Sequence, residues 1–184
     1  MSNITGGSAL LDIKLILNQL EITEKNKIAD LGCGSSGHFI IPIARLIGKN
    51  GKVYAVDILK PILVTLEKKI KQENLTNIET IWSNLEISKA TKIDSDSLDI
   101  VLLINTLYLS SKRKKIIHEA IRMMKKGAQL LIVDWKNSNL SIGPPAQKRV
   151  KIDLLKFFAE KLSLQLKNEF DAGEYHFGLL FIKT

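Results

Sequence analysis

Ile28-Ala29-Asp30-Leu31-Gly32-Cys33-Gly34-Ser35-Ser36-Gly37-His38-Phe39 is the stretch that decides the fold. A short apolar run from Lys27 to Leu31 stops at a cluster of glycines, and apolar residues resume at helical spacing from Phe39 to Ile47 before Gly48 ends them. The segment reads as strand, glycine loop, helix. Glycines at 32, 34 and 37 let the chain turn tightly out of the strand and bring a ligand close to the start of the helix. A second short strand, 52–57, ends on Asp57, twenty positions after Gly37, where a carboxylate can bind ribose hydroxyls. A nucleotide-bearing ligand fits this arrangement.

The alternation continues outward from that unit. Pro61 in a first turn opens a helix reaching about residue 73, strand three is 78–82, and strand four is 98–104. Strand four is apolar almost throughout, as expected where both faces of a parallel sheet are covered. A helix over 111–125 follows, Gly127 stands just past it as a C-terminal glycine, and strand five is 128–135. Upstream, apolar residues with a helical period predict an amphipathic helix over 8–20, with Ser8 as its cap, in a leading segment 1–22. Downstream, 136–147 is a polar loop ending in Gly143-Pro144-Pro145, placed on the substrate side, and a helix over 148–161 leads into a terminal hairpin of 164–170 and 175–182. The expected architecture is an α/β three-layer sandwich, doubly wound, with a mainly parallel seven-stranded sheet closed by an antiparallel terminal hairpin strand.

Length and composition set the frame. With 184 residues, 45% hydrophobic and 25% charged, the chain has material for one substantial core and too little for two ordinary domains, so 1–184 is expected as a single domain. No apolar run approaches the roughly 20 residues of a membrane-spanning helix, and the first residues lack the pattern of a signal peptide, which predicts a cytoplasmic protein. The single Cys33 excludes an internal disulfide and a multi-cysteine zinc site, and no metal-ligand cluster is legible. The formal net charge of +8 raises a polyanionic partner. Its excess is mostly lysine spread along the chain, dense only at 112–115 and 125–126, and aromatic residues for stacking on bases are few. Nucleic acid is therefore the disfavoured partner.

The glycine spacing suits NAD and S-adenosyl-L-methionine equally, since both present a ribose diol to the second strand's acid. Asp30, two places before the first glycine, suits a cationic amino-acid end better than a pyrophosphate. In its Asp30-Leu31-Gly32-Cys33-Gly34 loop and in Asp57 the sequence resembles the class I S-adenosylmethionine-dependent methyltransferases, in particular the small type 11 group that is similar to the ubiquinone and menaquinone C-methyltransferases. The resemblance covers about residues 24–135. It implies S-adenosyl-L-methionine as cofactor, held at its methionine end by the loop of Asp30, Gly32, Cys33 and Gly34, at both ribose hydroxyls by Asp57, and on one adenine face by Ile58, with Gly37 also assigned to the cofactor. It further implies that the residue at the end of strand three meets the adenine amine.

Two departures from the family pattern stand out. Ser36 occupies the position of the family's third glycine, with Gly37 one place later, and puts a side chain near the cofactor. After strand three the sequence is Trp82-Ser83-Asn84-Leu85, so Asn84 replaces the usual acid and would accept from the adenine amine through its side-chain oxygen. Trp82 itself reads as core. Asn105 and Tyr108 follow strand four, where open α/β sheets bind ligands; Asn105 is assigned to the cofactor, and Tyr108 together with Trp135 at the end of strand five to the substrate. Asp99 begins strand four and reads as structural. His38 follows the glycine loop and has the chemistry of a base, but it reads, like His118 and His176, as core or surface.

The cofactor's methyl is electrophilic without help, so alignment and exclusion of water matter more than a catalytic dyad, and no catalytic residue is assigned. The leading reading is methyl transfer to a small or lipid-like acceptor. An NAD-binding oxidoreductase, an RNA methyltransferase and a non-catalytic cofactor-binding protein stay open beside it.

Overall fold

The computed structural model describes residues 10–137 and 142–184. Seven strands form one sheet: β1 Lys27–Leu31, β2 Lys52–Asp57, β3 Ile78–Trp82, β4 Leu98–Ile104, β5 Met124–Trp135, β6 Leu164–Asp171 and β7 His176–Lys183, in the spatial order β3-β2-β1-β4-β5-β7-β6. β1 to β5 pair in parallel, and β7 runs antiparallel between β5 and β6. This is the expected three-layer architecture. One face is covered by α1 Ile13–Leu17, α2 Ile40–Ile47 and α3 Lys60–Gln72, which bury Ile16, Ile43, Ile47, Leu66 and Ile70 against it. The other is covered by α4 Arg113–Met123 and α5 Ile152–Glu160, through Ile116, Ile117, Ala120, Leu155 and Ala159. With both faces covered, Leu98 and Ile100 to Leu103 of β4 are at most 1% exposed, which is why that strand is apolar at consecutive positions.

Chain direction across the sheet reverses between β1 and β4, so the loops after those strands diverge and leave a crevice at the carboxyl edge. That switch point places the site.

Three expectations are adjusted. α1 is shorter than the predicted helix: the Asp12 carboxylate accepts from the Leu15 amide at 2.9 Å and caps it, while Ser8 lies outside the described residues. β5 begins at Met124, before Gly127, because α4 ends at Met123 and Met124 already pairs with Leu98. Gly127, with φ +79°, sits where the β4–β5 register shifts and so serves a bulge rather than a helix end. Trp82 is 57% exposed: β3 is the outermost strand, and the indole turns outward to donate to the Ile58 carbonyl at 2.8 Å.

Candidate active site

Leaving β1, the chain must turn under β4 before α2 can begin. Gly32 makes the turn at φ +87°, and its amide and that of Cys33 donate to the Val56 carbonyl at 2.8 and 3.1 Å, which fastens the loop to β2. Gly34 follows at φ +64°, with open space where a β-carbon would stand. Gly37 has a different duty: a β-carbon there would lie 2.7 Å from Ile41 Cδ1, so this glycine lets α2 pack, and it does not line the crevice. The Ser36 hydroxyl accepts from the His38 amide at 3.3 Å, in the manner of a helix cap. The displaced third glycine thus reflects a loop closed by a serine side chain.

The crevice is a cavity of about 650 Å³ bounded by the glycine loop and by the chain following β2, β3 and β4. It brings together Asp30, Gly32, Cys33, Gly34, Asp57, Ile58, Asn84, Asn105 and Tyr108, all singled out from sequence, and adds His38 on the α2 side. Trp135 is not among the lining residues. It is 4% exposed, lies under Gly143, and packs against His176 with ring centroids 4.3 Å apart. Wall residues that the sequence did not mark include Leu85, Glu86, Leu109 and Ile116. They come from loops and from the first turns of α4, where no periodic signal distinguishes a cavity wall from a core or a surface.

Asp57 is 8% exposed and held at both oxygens: Oδ2 accepts from the Gly34 amide at 3.2 Å and Oδ1 from the Leu59 amide at 2.9 Å. The carboxylate therefore has one orientation, with lone pairs left over for a diol. Asp30 is the opposite case. It is 3% exposed, its Oδ1 is buried without a hydrogen-bond partner, and no ion pair reaches it among the described residues. Burial, reinforced by the negative charge of Asp57, pushes its pKa up to about 7. Beyond β4, Asn105 adopts φ +52°, and both polar atoms of its side chain are buried and unpartnered. A carboxylate with one buried, unpartnered oxygen and an unpartnered amide in one cavity are costly unless a ligand supplies donors and acceptors.

Asn84 differs from its expected use, since its Oδ1 already accepts from the Glu86 amide at 2.9 Å and shapes the turn after β3. A second lone pair and the amide nitrogen remain. Tyr108 stands on the 3-10 turn Leu107–Leu109, held from beneath by Asp134, whose Oδ2 accepts from the Tyr108 amide at 3.1 Å and whose Oδ1 accepts from the Trp135 amide at 2.8 Å. Asp134 is fully buried, and burial raises its pKa to about 6 against the lowering effect of the Trp135 and Tyr108 amides. Burial, with Asp30 and Asp57 nearby, pushes the Cys33 thiol far up, which leaves it protonated and unfit as a nucleophile. His118 stacks edge-on against Phe158 outside this cavity, and Asp99 accepts from the Lys27 amide at 2.7 Å at the opposite edge of the sheet.

The family profile described as Methyltransferase domain matches residues 22–171. Over 144 residues the chain is 25% identical to the protein-L-isoaspartate O-methyltransferase of Methanococcus aeolicus, covering 72% of this chain and 62% of that protein. Over 123 residues it is 26% identical to the ubiquinone/menaquinone biosynthesis C-methyltransferase of Blochmanniella floridana, covering 66% of this chain and 47% of that one. A SAM-dependent methyltransferase from Aquifex aeolicus superposes with a TM-score of 0.86 at 23% identity, covering 97% of this chain and 93% of that one, a likeness of fold. The matches thus span about half to three-fifths of the length of these two curated relatives.

Proposed function

The chain belongs to the methyltransferase-domain family, and from that membership we propose that it binds S-adenosyl-L-methionine over the carboxyl ends of β1, β2 and β4 and transfers its methyl group to a small or lipid-like acceptor. The observation that carries this reading is the contrast between two carboxylates in one cavity. Asp57 is fixed by the Gly34 and Leu59 amides and suited to a ribose diol, whereas Asp30 is buried without a cation. A ligand with a ribose and an ammonium group answers both. A pyrophosphate beside Asp30 would add negative charge to a site already short of positive charge, which disfavours NAD.

In this reading Asp30 and Asn105 hold the amino-acid end, Asp57 the ribose, and Ile58 with Leu85 and Ile116 the adenine, with Asn84 near its amine. Bound there, the cofactor supplies an electrophilic methyl on a sulfonium. The protein's own part is to position an acceptor in line and to exclude water. Tyr108, fixed by Asp134, and His38 border the space left for the acceptor, and His38 is the side chain placed to hold a proton if the accepting atom must lose one. The test is incubation of the purified chain with methyl-labelled cofactor and, in parallel, cell-extracted small molecules, extracted lipids and total RNA. Label in a small-molecule or lipid fraction supports the reading. Label confined to RNA contradicts it.

A further inference from the structure

The cavity mouth carries an apolar rim that the fold itself does not use. Eleven large hydrophobic side chains are exposed among the described residues, and five of them stand at or beside the carboxyl edge: Ile58, Leu59, Trp82, Ile87 and Leu109, each between 51 and 71% exposed. Three of these, Ile58, Leu59 and Leu109, line the cavity directly. Trp82 is tied to them by its bond to the Ile58 carbonyl, and Ile87 follows Glu86, a cavity residue. Such clustering marks an interaction surface rather than the scatter normal for soluble proteins.

Cations surround it. Lys60 lies 4.5 Å from the centroid of the Trp82 ring, Lys112 pairs with Glu86 at 3.1 Å, and Lys115 borders the same groove as Ile87. Glu86 offsets one of these charges, and the rim remains positive. We propose that this rim is a docking surface for an anionic lipid bilayer, with the aliphatic side chains and Trp82 seated at headgroup level and the lysines on the lipid phosphates, so that an amphiphilic acceptor enters the cavity from the membrane. Two signals, apolar contact and positive charge, are what reversible peripheral binding requires. Protein interfaces are depleted in lysine at their centres, and a nucleic-acid surface would expose stacking aromatics in place of four aliphatic chains.

The role assigned to docking rests on the reading of the cavity as a methyl-transfer site, but docking is measured without activity. The full chain is sedimented with vesicles of phosphatidylcholine alone or with about one-third phosphatidylglycerol, at low and high salt, while Trp82 fluorescence is recorded. Trp135 is buried, so a blue shift reports Trp82. The expected result is preference for the anionic vesicles by at least about tenfold, with a blue shift lost in Trp82→Phe; lysine reversal is scaled at roughly fivefold per charge. The paired variants Trp82→Glu/Ile87→Glu and Lys60→Glu/Lys115→Glu each lose about tenfold or more, with S-adenosylhomocysteine affinity unchanged by calorimetry. Absence of vesicle binding in a chain that still binds S-adenosylhomocysteine overturns the docking proposal and leaves the functional reading in place. Vesicle binding indifferent to Trp82→Glu/Ile87→Glu and matched by total RNA also overturns it. Vesicle binding without cofactor binding overturns the functional reading instead.

Discussion

Gly32 and Thr106 touch across the switch point: a β-carbon on Gly32 would lie 2.6 Å from the Thr106 hydroxyl oxygen, which is itself 2.8 Å from the Leu31 carbonyl. The glycine loop is thereby locked to the end of β4, and Asp30 and Asn105 on either side of that lock are held in one cavity. Gly32→Ala is expected to cost roughly 2–4 kcal/mol, since it combines a steric overlap with a left-handed backbone. The double variant Gly32→Ala/Thr106→Ala should recover only part of this, because φ +87° remains unfavourable. Denaturant midpoints of the two variants check it, and equal stability of Gly32→Ala and wild type would contradict the contact.

Asp57→Ala is expected to weaken S-adenosylhomocysteine binding by roughly 1.5–3 kcal/mol, the scale of lost charge-assisted hydrogen bonds, while the sheet remains folded. Calorimetry together with far-UV circular dichroism separates the two effects. Undiminished affinity in a folded variant would remove Asp57 from the ribose.

Asp30 links binding to pH. Its folded pKa, near 7, lies above the unfolded value near 3.8, so between those values the folded ligand-free protein holds a proton that the unfolded chain has released. Stability from this group therefore falls as pH rises from about 4 to 7, and the cost is complete above 7. Asp30→Asn should stabilise the ligand-free protein at pH 8 by on the order of 1–3 kcal/mol and yet weaken S-adenosylhomocysteine binding. In the wild type, that affinity should rise with pH up to about 7 and then level off, with proton release seen as buffer-dependent heat. A flat profile would contradict the assignment.

His176 has the opposite sign. It is fully buried with both ring nitrogens unpartnered, and burial with Lys136 nearby lowers its pKa to about 4. The unfolded imidazole takes up a proton near pH 6.5 and the folded one does not, so stability is lost as pH falls from about 6.5 to 4. His176→Phe should remove on the order of 2–3 kcal/mol of that acid loss. Thermal melts at pH 5 and 7 for both proteins give the comparison.

The fold was legible because its signals were local. β1, β2, β3 and β4 fall at the residues where the apolar runs place them, and the turn after β1 is made by Gly32 and Gly34 at positive φ. What the sequence hid depended on neighbours distant in the chain. Trp82 reads as core until β3 is known to be the outermost strand, Gly127 as a helix end until its pairing partner is known, and Gly37 as a ligand glycine until Ile41 is found against it. Trp135 ends β5 at the ligand edge of the sheet, yet Gly143 and His176 cover it, a contact between segments that no spacing encodes. Asn84 shows a second duty that residue type does not reveal: it lines the cavity as its place after β3 suggests, and its oxygen also accepts from the Glu86 amide in the turn.

The most direct test is calorimetric titration of the full chain with S-adenosylhomocysteine and, separately, with NAD. The account predicts one site for S-adenosylhomocysteine at micromolar affinity, roughly −8 kcal/mol, lost or much reduced in Asp57→Ala, and no saturable heat with NAD. Binding of NAD as tight as or tighter than that of S-adenosylhomocysteine would contradict it.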